Sequence, residues 1–186
     1  LPNNIVIFCF EQFIDKQSDE FDWPELDERT ASSLCYTSGT TGNPKGVMYS
    51  HRSTVLHALI QCFYNSGSFS PKKKILPIVP LFHANAWGIP YSAPISGTSL
   101  VFPGANLDGK SVYDMLEKYS VNSAWGVPTV WMGLLEEIAQ RGGKKPDGLE
   151  EMLVGGSAAA KSLIEAFENL GVRVIHAWGM TETSPL

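Results

Sequence analysis

The order of hydrophobic and polar positions along the chain predicts short strands that alternate with amphipathic helices. Short apolar runs suit buried strands, whereas apolar residues that recur every three or four positions suit helices. Such alternation is typical of an α/β fold, in which a largely parallel sheet is covered by helices. The predicted strands are residues 5–10, 33–37, 47–49, 74–79, 99–102, 152–154 and 172–176, and the predicted helices follow Ser50, cover 112–119, begin at Pro128 and cover 163–170.

Local signals mark the ends of several predicted helices. Ser50 is a suitable N-cap for the first helix. Pro128 fits the first turn of its helix because the missing N–H would have no intrahelical partner there. Gly171 is suited to ending the last helix. We expect two of these helices to bury an apolar stripe. The stripes are Val55, Leu56, Leu59, Ile60 and Phe63 in the first helix and Val130, Trp131, Leu134, Leu135 and Ile138 in the helix that begins at Pro128.

Charge is unevenly distributed along the 186 residues, which are 44% hydrophobic and 18% charged and carry a net charge of −5. Residues 19–28 contain six carboxylates, which leaves 13 acidic residues to face 14 Lys and Arg elsewhere. A nucleic-acid-binding protein needs a basic face for the phosphates, so the composition argues against that class. We interpret residues 17–32 as a solvated acidic linker and residues 1–16 as the end of a preceding subdomain.

Cysteine usage and hydropathy predict a cytoplasmic protein. Cys9, Cys35 and Cys62 are odd in number and lack CxxC spacing, which favours reduced thiols over a disulfide framework or a zinc site. No apolar run approaches the roughly 20 residues that span a bilayer, and no signal peptide is recognisable. The chain begins at Leu1 and ends at Leu186 directly after a motif-rich loop, so we expect both ends to be cut, and a lost targeting segment stays open.

The segment Thr37–Gly46, TSGTTGNPKG, has the composition of a polyphosphate-binding loop. Glycines let backbone N–H groups approach an anion closely, the hydroxyls donate hydrogen bonds, and Lys45 adds a full positive charge. A simple turn is the structural alternative. A Walker-type P-loop is rejected because Pro44 replaces its second glycine and Gly46 replaces its final Ser or Thr. The predicted polyphosphate-binding residues of this loop are Thr37, Ser38, Gly39, Thr40, Thr41, Gly42, Lys45 and Gly46.

Two motifs resemble the nucleotide-binding signatures of the adenylate-forming superfamily, which includes acyl-CoA synthetases, luciferases and peptide synthetase adenylation domains. Tyr36–Val47, YTSGTTGNPKGV, closely resembles the signature loop, and Trp178–Thr183, WGMTET, resembles the second motif, which usually begins with tyrosine. An aromatic face there can stack on adenine, and a carboxylate can hold Mg²⁺. Tryptophan keeps the stacking but loses any bond from the tyrosine hydroxyl. The resemblance implies nucleotide contacts from Trp178, Gly179 and Thr181, and Mg²⁺ ligation by Thr40 and Glu182.

Other segments resemble the walls of the superfamily's substrate pocket. GGSA at 155–158 follows a predicted strand and matches the segment that lines the adenine and acyl pocket, although a helix-opening turn is the alternative. PLFHANAW at 80–87 resembles medium- and long-chain fatty acyl-CoA synthetases, in which the histidine lies beside the substrate carboxylate and the tryptophan gates the acyl tunnel. Core packing is the alternative for Trp87, and it explains Val127 and Trp131 equally well. The resemblance implies nucleotide contacts from Gly155, Gly156 and Ser157, and acyl-pocket positions for His83, Trp87, Val127, Trp131 and Gly156.

The resemblance implies a ligase that converts a fatty acid to acyl-CoA in two half-reactions. A carboxylate attacks the α-phosphate of MgATP to give acyl-AMP and pyrophosphate, and the thiolate of coenzyme A then displaces AMP. Lys45, Thr181, Glu182 and His83 would be the catalytic residues. The alternatives are a ligase for an aryl or sulfur-containing short acid and a non-catalytic nucleotide-binding module. A homo-oligomer is compatible with the sequence.

The resemblance also implies that the chain is an incomplete part of the large N-terminal domain. The superfamily continues with an aspartate that binds the ribose, a hinge and a small C-terminal domain whose lysine assists adenylation, none of which lies within these 186 residues. We therefore expect the isolated chain to bind MgATP weakly at best and to turn over nothing.

Overall fold

The computed structural model describes residues 9–37, 42–65 and 67–184. Within these ranges, strands and helices alternate along most of the chain. The strands are β1 (Ala31–Tyr36), β2 (Gly46–Ser50), β3 (Lys74–Pro77), β4 (Ser99–Leu100), β5 (Ser123–Gly126), β6 (Glu151–Val154) and β7 (Arg173–His176). The helices are α1 (Phe10–Ile14), α2 (His51–Tyr64), α3 (Ala84–Trp87), α4 (Ile89–Ser96), α5 (Gly109–Lys118), α6 (Pro128–Gln140) and α7 (Lys161–Asn169), followed by a 3₁₀ turn at Thr181–Thr183.

Five strands form a parallel sheet in the order β4-β3-β5-β6-β7, which confirms the predicted α/β class. Parallel pairing requires crossover connections, and the helices between successive strands supply them. All four residues of β5 and all four of β6 are buried, as expected of central strands that are covered on both faces.

Alternate residues of the strands build two hydrophobic clusters, one on each face of the sheet. Leu76, Ala124 and Met152 pack against α5, α6 and α7, whereas their neighbours Ile75, Trp125 and Leu153 face α3 and the start of α4. Because side chains alternate across a strand, these runs of apolar residues support three layers, with helical structure on both sides of the sheet.

Strands β1 and β2 form a separate antiparallel hairpin around the glycine-rich loop. Its residues alternate between the interior and the surface: Cys35 and Tyr49 are buried, whereas Leu34, Tyr36 and Met48 are exposed. The buried face of the hairpin therefore carries side chains that can reach the rest of the molecule.

The structure confirms the predicted helix ends. The Ser50 side chain accepts a hydrogen bond from the backbone of Ser53, whose hydroxyl accepts one from the backbone of Ser50. Pro128 is the first residue of α6, and Gly171 follows the C-cap of α7 with φ of +75°. Within the ranges that the structure describes, no helix combines the length and apolarity needed to cross a membrane.

Two predictions are wrong, and the short elements α3, α4, β5 and the 3₁₀ turn were not predicted. Phe10, placed in the first predicted strand, begins α1 instead, and residues 5–8 of that strand lie outside the described residues. The stripe predicted to be buried on α2 is exposed, because the described chain packs against the opposite side through Ala58 and Gln61. Strand β5 and helix α4 are short, and neither carries a clear periodic pattern. The five exposed residues of the α2 stripe, which are between 47% and 87% accessible, are Val55, Leu56, Leu59, Ile60 and Phe63.

Candidate functional site

A crevice is expected at the carboxyl edge of the sheet, between the loops that follow β3 and β5. From β3 the chain first adds β4 on one side and then returns to add β5, β6 and β7 on the other. Where a parallel sheet reverses its strand order in this way, the adjacent loops diverge and leave room for a ligand. The loop after β3 carries His83 and Trp87, and the loop after β5 carries Val127. Gly155 follows β6 and Trp178 follows β7 at the same edge.

Trp87 packs against the glycine pair after β6. A methyl group on Gly155 would lie 3.2 Å from the Trp87 ring and 3.2 Å from the Ala177 carbonyl oxygen, so a side chain there would force the ring to move. Gly156 has φ of +78°, and a methyl group on it would lie 3.1 Å from Val127. Three residues predicted for the acyl pocket, Trp87, Val127 and Gly156, are therefore brought into one cluster with Gly155, which was predicted to contact the nucleotide. Trp87 is only 5% exposed in this cluster.

The backbone that carries Trp87 is strained. All four residues of α3, Ala84–Trp87, have positive φ values of 45°, 52°, 48° and 55°, which makes the element one left-handed turn. For residues other than glycine this conformation costs roughly 1–2 kcal/mol each. Such a turn persists only where neighbouring structure stabilises it, and strain of this kind is concentrated at functional sites.

Two side chains hold the left-handed turn from opposite sides. Asn85 Nδ2 donates a hydrogen bond of 2.8 Å to Ser33 Oγ on β1, and Asn85 Oδ1 accepts one from Cys35 Sγ at 3.4 Å. From α2, Gln61 Nε2 donates a bond of 2.8 Å to the backbone oxygen of Trp87. The turn is thus fixed both to the hairpin of the glycine-rich loop and to the helix that follows it.

A small cavity lies beside the turn, with Tyr49, His57, Asn85 and Ser184 among its lining residues. Its volume of about 10 Å³ is at the lower limit of what a single water molecule needs. His57 Nε2 is buried without a hydrogen-bond partner among the described residues, and burial lowers the pKa of His57 because the charged imidazolium loses solvation.

The base of the glycine-rich loop is closed by backbone contacts. Thr37 N donates to Lys45 O at 2.9 Å, and Lys45 N donates to Thr37 Oγ1 at 3.3 Å. The residues Lys45, Gly42 and Gly46 are exposed, so the charge of Lys45 is accessible to an anion. The other predicted residues of this loop lie outside the described residues: Ser38, Gly39, Thr40 and Thr41.

Tyr49 joins the two nucleotide motifs across the molecule. Its hydroxyl donates a hydrogen bond to the backbone oxygen of Thr181, 132 residues further along the chain. Burial raises the pKa of Tyr49 to about 12, and the nearby Cys35 and Glu182 add to the shift because a phenolate there would be repelled. Tyr49 is therefore neutral at physiological pH, and its proton is available for this bond.

The remaining predicted residues differ in their surroundings. His83, Ser157 and Trp178 are exposed, with 76% of Trp178 accessible, whereas Gly179 and Thr181 are half-buried. Trp131 is fully buried in the other hydrophobic cluster, so the structure does not bring it together with Trp87.

Glu182 is the described member of the predicted magnesium pair. It is exposed at the middle of the 3₁₀ turn, and no group of three or more His, Cys, Asp or Glu among the described residues is arranged to hold a metal. Magnesium is usually held by only one or two protein carboxylates together with substrate phosphates and water. An accessible carboxylate oxygen fits that donor set.

Sequence reasoning missed the polar residues that hold the site together, chiefly Tyr49, Gln61 and Asn85. Gln61 is a buried amide within an apolar helix, and Tyr49 occupies an inward position of β2. Buried polar groups need partners. For Tyr49, a hydroxyl at an inward position of a strand was the available signal, whereas Gln61 lies opposite the apolar stripe of α2 and gave none.

Comparison with known proteins identifies one family. The sequence model of the family described as "AMP-binding enzyme" matches residues 8–186. The chain is 52% identical over 181 residues to the medium-chain-fatty-acid–CoA ligase of Ectopseudomonas oleovorans, with 96% of this chain and 33% of that protein covered. It is 49% identical over 178 residues to the 3-methylmercaptopropionyl-CoA ligase of Ruegeria pomeroyi, with 95% of this chain and 33% of that protein covered.

A solved structure supports the same relationship. The structure of O-succinylbenzoate coenzyme A synthetase from Bacillus subtilis, in complex with ATP and magnesium ion, matches with a TM-score of 0.79 and 26% identity. The match covers 93% of this chain and 35% of that chain. The chain spans about one third of the length of the curated relatives that it matches.

Proposed function

Because the chain belongs to the family of AMP-binding enzymes, we propose that it is part of an ATP-dependent ligase that converts a fatty acid to its coenzyme A thioester. The acid carboxylate attacks the α-phosphorus of ATP, the bond to pyrophosphate breaks, and acyl-AMP forms. The thiolate of coenzyme A then attacks the acyl carbon, and AMP leaves with the electron pair of the broken bond.

The observation that carries this proposal is the hydrogen bond from Tyr49 to Thr181. It joins the strand that follows the glycine-rich loop to the segment of the second nucleotide motif, although 132 residues separate them. Two motifs that would hold different phosphates of one nucleotide are thereby linked through Tyr49, which lies two residues after the first motif. The crevice expected from the strand order between β3 and β5 would open at the carboxyl edge of the sheet, where a second substrate could reach the α-phosphate.

The nucleotide roles follow from charge and accessibility. Lys45, together with Ser38 and Thr41, would hold the departing pyrophosphate, and Thr181 would hold the α-phosphate. Positioning and charge stabilisation supply most of the catalysis in such a reaction. The exposed ring of Trp178 would stack on adenine. Glu182, with Thr40, would hold Mg²⁺, which neutralises phosphate charge when it is bound.

The acid would occupy the crevice beside the Trp87 cluster. His83 is exposed at the entrance to the left-handed turn, where an imidazole could orient the carboxylate. Trp87, Val127 and Gly156 contact one another and would form a wall of the acyl pocket. Trp131 would support this wall only indirectly, because it packs in the other hydrophobic cluster and lies 3.0 Å from a methyl group placed on Gly126.

A sulfur-containing short acid is the second candidate substrate. The relative that is 49% identical is named a 3-methylmercaptopropionyl-CoA ligase, and its identity differs little from the 52% of the medium-chain relative. A thioether and a short alkyl chain are both apolar and flexible. Packing against Trp87 would accommodate either.

Carboxylate-dependent ATP–pyrophosphate exchange tests the proposal. The complete protein encoded by the reading frame that contains this chain is assayed with short, medium and long aliphatic acids, 3-(methylthio)propionate and benzoate. We expect exchange with aliphatic or thioether acids and thioester formation when coenzyme A is added. Exchange with none of these acids, by protein shown to be folded, would instead favour a non-catalytic nucleotide-binding module.

We further propose a cytoplasmic location. None of the three cysteines forms a disulfide among the described residues, and Cys35 is buried as a thiol, which suits a reducing compartment. A homo-oligomer is compatible with this proposal.

A further inference from the structure

We propose that Asn85 is a positioning residue that fixes Trp87 relative to the hairpin of the glycine-rich loop and thereby sets which acids the enzyme accepts. This inference rests on the proposed ligase function. It assigns to Asn85 no contact with substrate, since the residue would act through Trp87.

The conformation of the turn requires an external restraint. Four successive residues adopt positive φ, and three of them, Ala84, Ala86 and Trp87, are residue types that rarely do so. Asn85 is the only one of the four whose type tolerates this region readily. Local preference alone would therefore not hold the Trp87 ring where it lies.

The Asn85 side chain supplies that restraint from β1. Its amide nitrogen donates to Ser33 Oγ at 2.8 Å, and its amide oxygen accepts from Cys35 Sγ at 3.4 Å. Ser33 and Cys35 alternate along β1 and so lie on the same face of the hairpin, opposite the exposed Leu34. The nitrogen and the oxygen of the Asn85 amide are both hydrogen-bonded, which fixes the orientation of the side chain.

The strand that receives these bonds leads directly into the nucleotide loop. Cys35 lies two residues before Thr37, whose backbone closes the base of the loop with Lys45. Tyr49 pairs with Ser33 across the hairpin and bonds Thr181. The left-handed turn and both nucleotide motifs are therefore attached to the same hairpin, β1–β2.

Trp87 lies at the other end of the turn, and a small displacement of its ring would change the shape of the proposed acyl pocket. Trp87 is 5% exposed and packs on Gly155 and Gly156, where a methyl group would lie 3.2 Å and 3.7 Å, respectively, from the ring. Gln61 donates to the Trp87 carbonyl oxygen and accepts from Ser92, and neither of these hydrogen bonds reaches β1, so they do not replace the link to the hairpin. Loss of the Asn85 hydrogen bonds would allow the Trp87 ring to shift and would change the relative kcat/KM for different acids.

Three single substitutions in the complete protein test this inference. Asn85→Gly removes both side-chain bonds but keeps a backbone that accepts positive φ. Ser33→Ala removes one bond from the other end and leaves the turn sequence unchanged. Ser32→Ala is the matched control on the same strand. The Ser32 hydroxyl is hydrogen-bonded to the backbone oxygen of Tyr49 and to the Thr54 hydroxyl rather than to the turn. Each variant is assayed for kcat and KM with a series of acids, for KM with ATP, and for thermal unfolding.

We expect Asn85→Gly and Ser33→Ala to change the ratio of kcat/KM between the longest and shortest accepted acids by about twofold to tenfold, the range of one neutral hydrogen bond. The KM for ATP should change less, and Ser32→Ala should leave the acid ratio unchanged. The double variant Asn85→Gly/Ser33→Ala should add little to Asn85→Gly, because both remove the same link.

Unchanged acid ratios in both Asn85→Gly and Ser33→Ala, in an active enzyme, would overturn the inference while leaving the proposed function intact. A merely structural role would lower the unfolding temperature without altering the acid ratio, and this result would also overturn it. If the unsubstituted protein shows no acid-dependent exchange, the proposed function fails and the inference fails with it.

Discussion

At the scale of single residues, Lys45 provides a sensitive test of the nucleotide site. Its side chain is exposed at the base of the glycine-rich loop, so Lys45→Ala should change the free energy of unfolding by no more than about 0.5 kcal/mol. Loss of a charge that stabilises the transition state should reduce pyrophosphate exchange by about 10²–10³-fold.

A matched control exists on the outer helix α7. Lys161 is also exposed, and its one ion pair among the described residues is with Glu165 at 3.2 Å, so Lys161→Ala should leave exchange unchanged. Equal losses of activity in the two variants, measured in the complete protein, would count against a phosphate-binding role for Lys45.

Tyr49 predicts a loss of stability in alkaline solution. Its pKa is about 12 in the folded state and 10.0 without the fold, so between these values the unfolded chain releases a proton that the folded chain retains. The native state then binds more protons, and stability falls as the pH rises from about 10 towards 12.

Denaturant unfolding of the complete protein at pH 8, 10 and 11 measures this effect. Tyr49→Phe removes the ionisable group and should therefore lose less stability between pH 8 and 11 than the unsubstituted protein. At pH 8 the same variant should be less stable by about 1 kcal/mol, because the Thr181 carbonyl loses its donor. Identical pH dependence in both proteins would contradict this assignment.

The residue scale also shows which parts of the site the sequence could predict. The segments that carry Lys45, Thr181 and Trp87 were predicted from their chemistry and their resemblance to known motifs, and their roles stay predictions. The partnership of Asn85 with Ser33 was not predictable, because hydrogen bonds between residues 52 apart depend on tertiary placement. The positive φ values of Ala84 and Ala86 were also not predictable from the sequence, since alanine normally favours the right-handed helix.

At the scale of elements, helix α2 predicts self-association of the 186-residue chain. The exposed residues Val55, Leu56, Leu59, Ile60 and Phe63 share one side of α2, and exposed apolar surfaces of this kind promote association. Sedimentation velocity should show concentration-dependent species larger than a monomer. The double variant Leu59→Lys/Phe63→Glu should shift the distribution to the monomer, because it places charges on this surface.

A control on the same helix separates association from unfolding. Ala58 is fully buried, so Ala58→Glu should lower the unfolding temperature sharply, whereas Leu59→Lys/Phe63→Glu should preserve the circular dichroism spectrum. A monomeric unsubstituted chain across the accessible concentration range would contradict the prediction.

Helix α2 also shows that a hydrophobic pattern can identify a helix without identifying its packing partner. The period of its apolar residues identified the helix and the side on which they lie, but periodicity does not reveal what packs against that side. In contrast, the stripe on α6 was predicted correctly, because Trp131, Leu134 and Ile138 face a sheet formed within the same chain. Strand β5 was missed because its four residues, SAWG, are too few to show a pattern.

At the scale of the whole molecule, we predict that the 186 residues alone do not complete the reaction. They span about one third of the length of their relatives, and the resemblance assigns a ribose-binding aspartate and an adenylating lysine to later parts of the family. Calorimetric titration with MgATP should show weak binding at best, and exchange should stay at the background rate. The complete protein, assayed alongside, provides the positive control, and rapid formation of acyl-AMP by the 186 residues would contradict the prediction.

The reversal of strand order between β3 and β5 has a consequence for how such a protein can change over generations. The crevice there is a product of topology, since it exists wherever these two strands diverge, whatever side chains line it. The cluster around Leu76, Ala124 and Met152 depends instead on residues of the sheet and of α5, α6 and α7. The loop after β3 contributes to the other cluster through Trp87, but His83 in the same loop is exposed. Selection can therefore act on exposed loop positions such as His83 with little effect on the residues that preserve the fold. A substitution at such a position alters what the crevice would admit while the sheet beneath it stays folded.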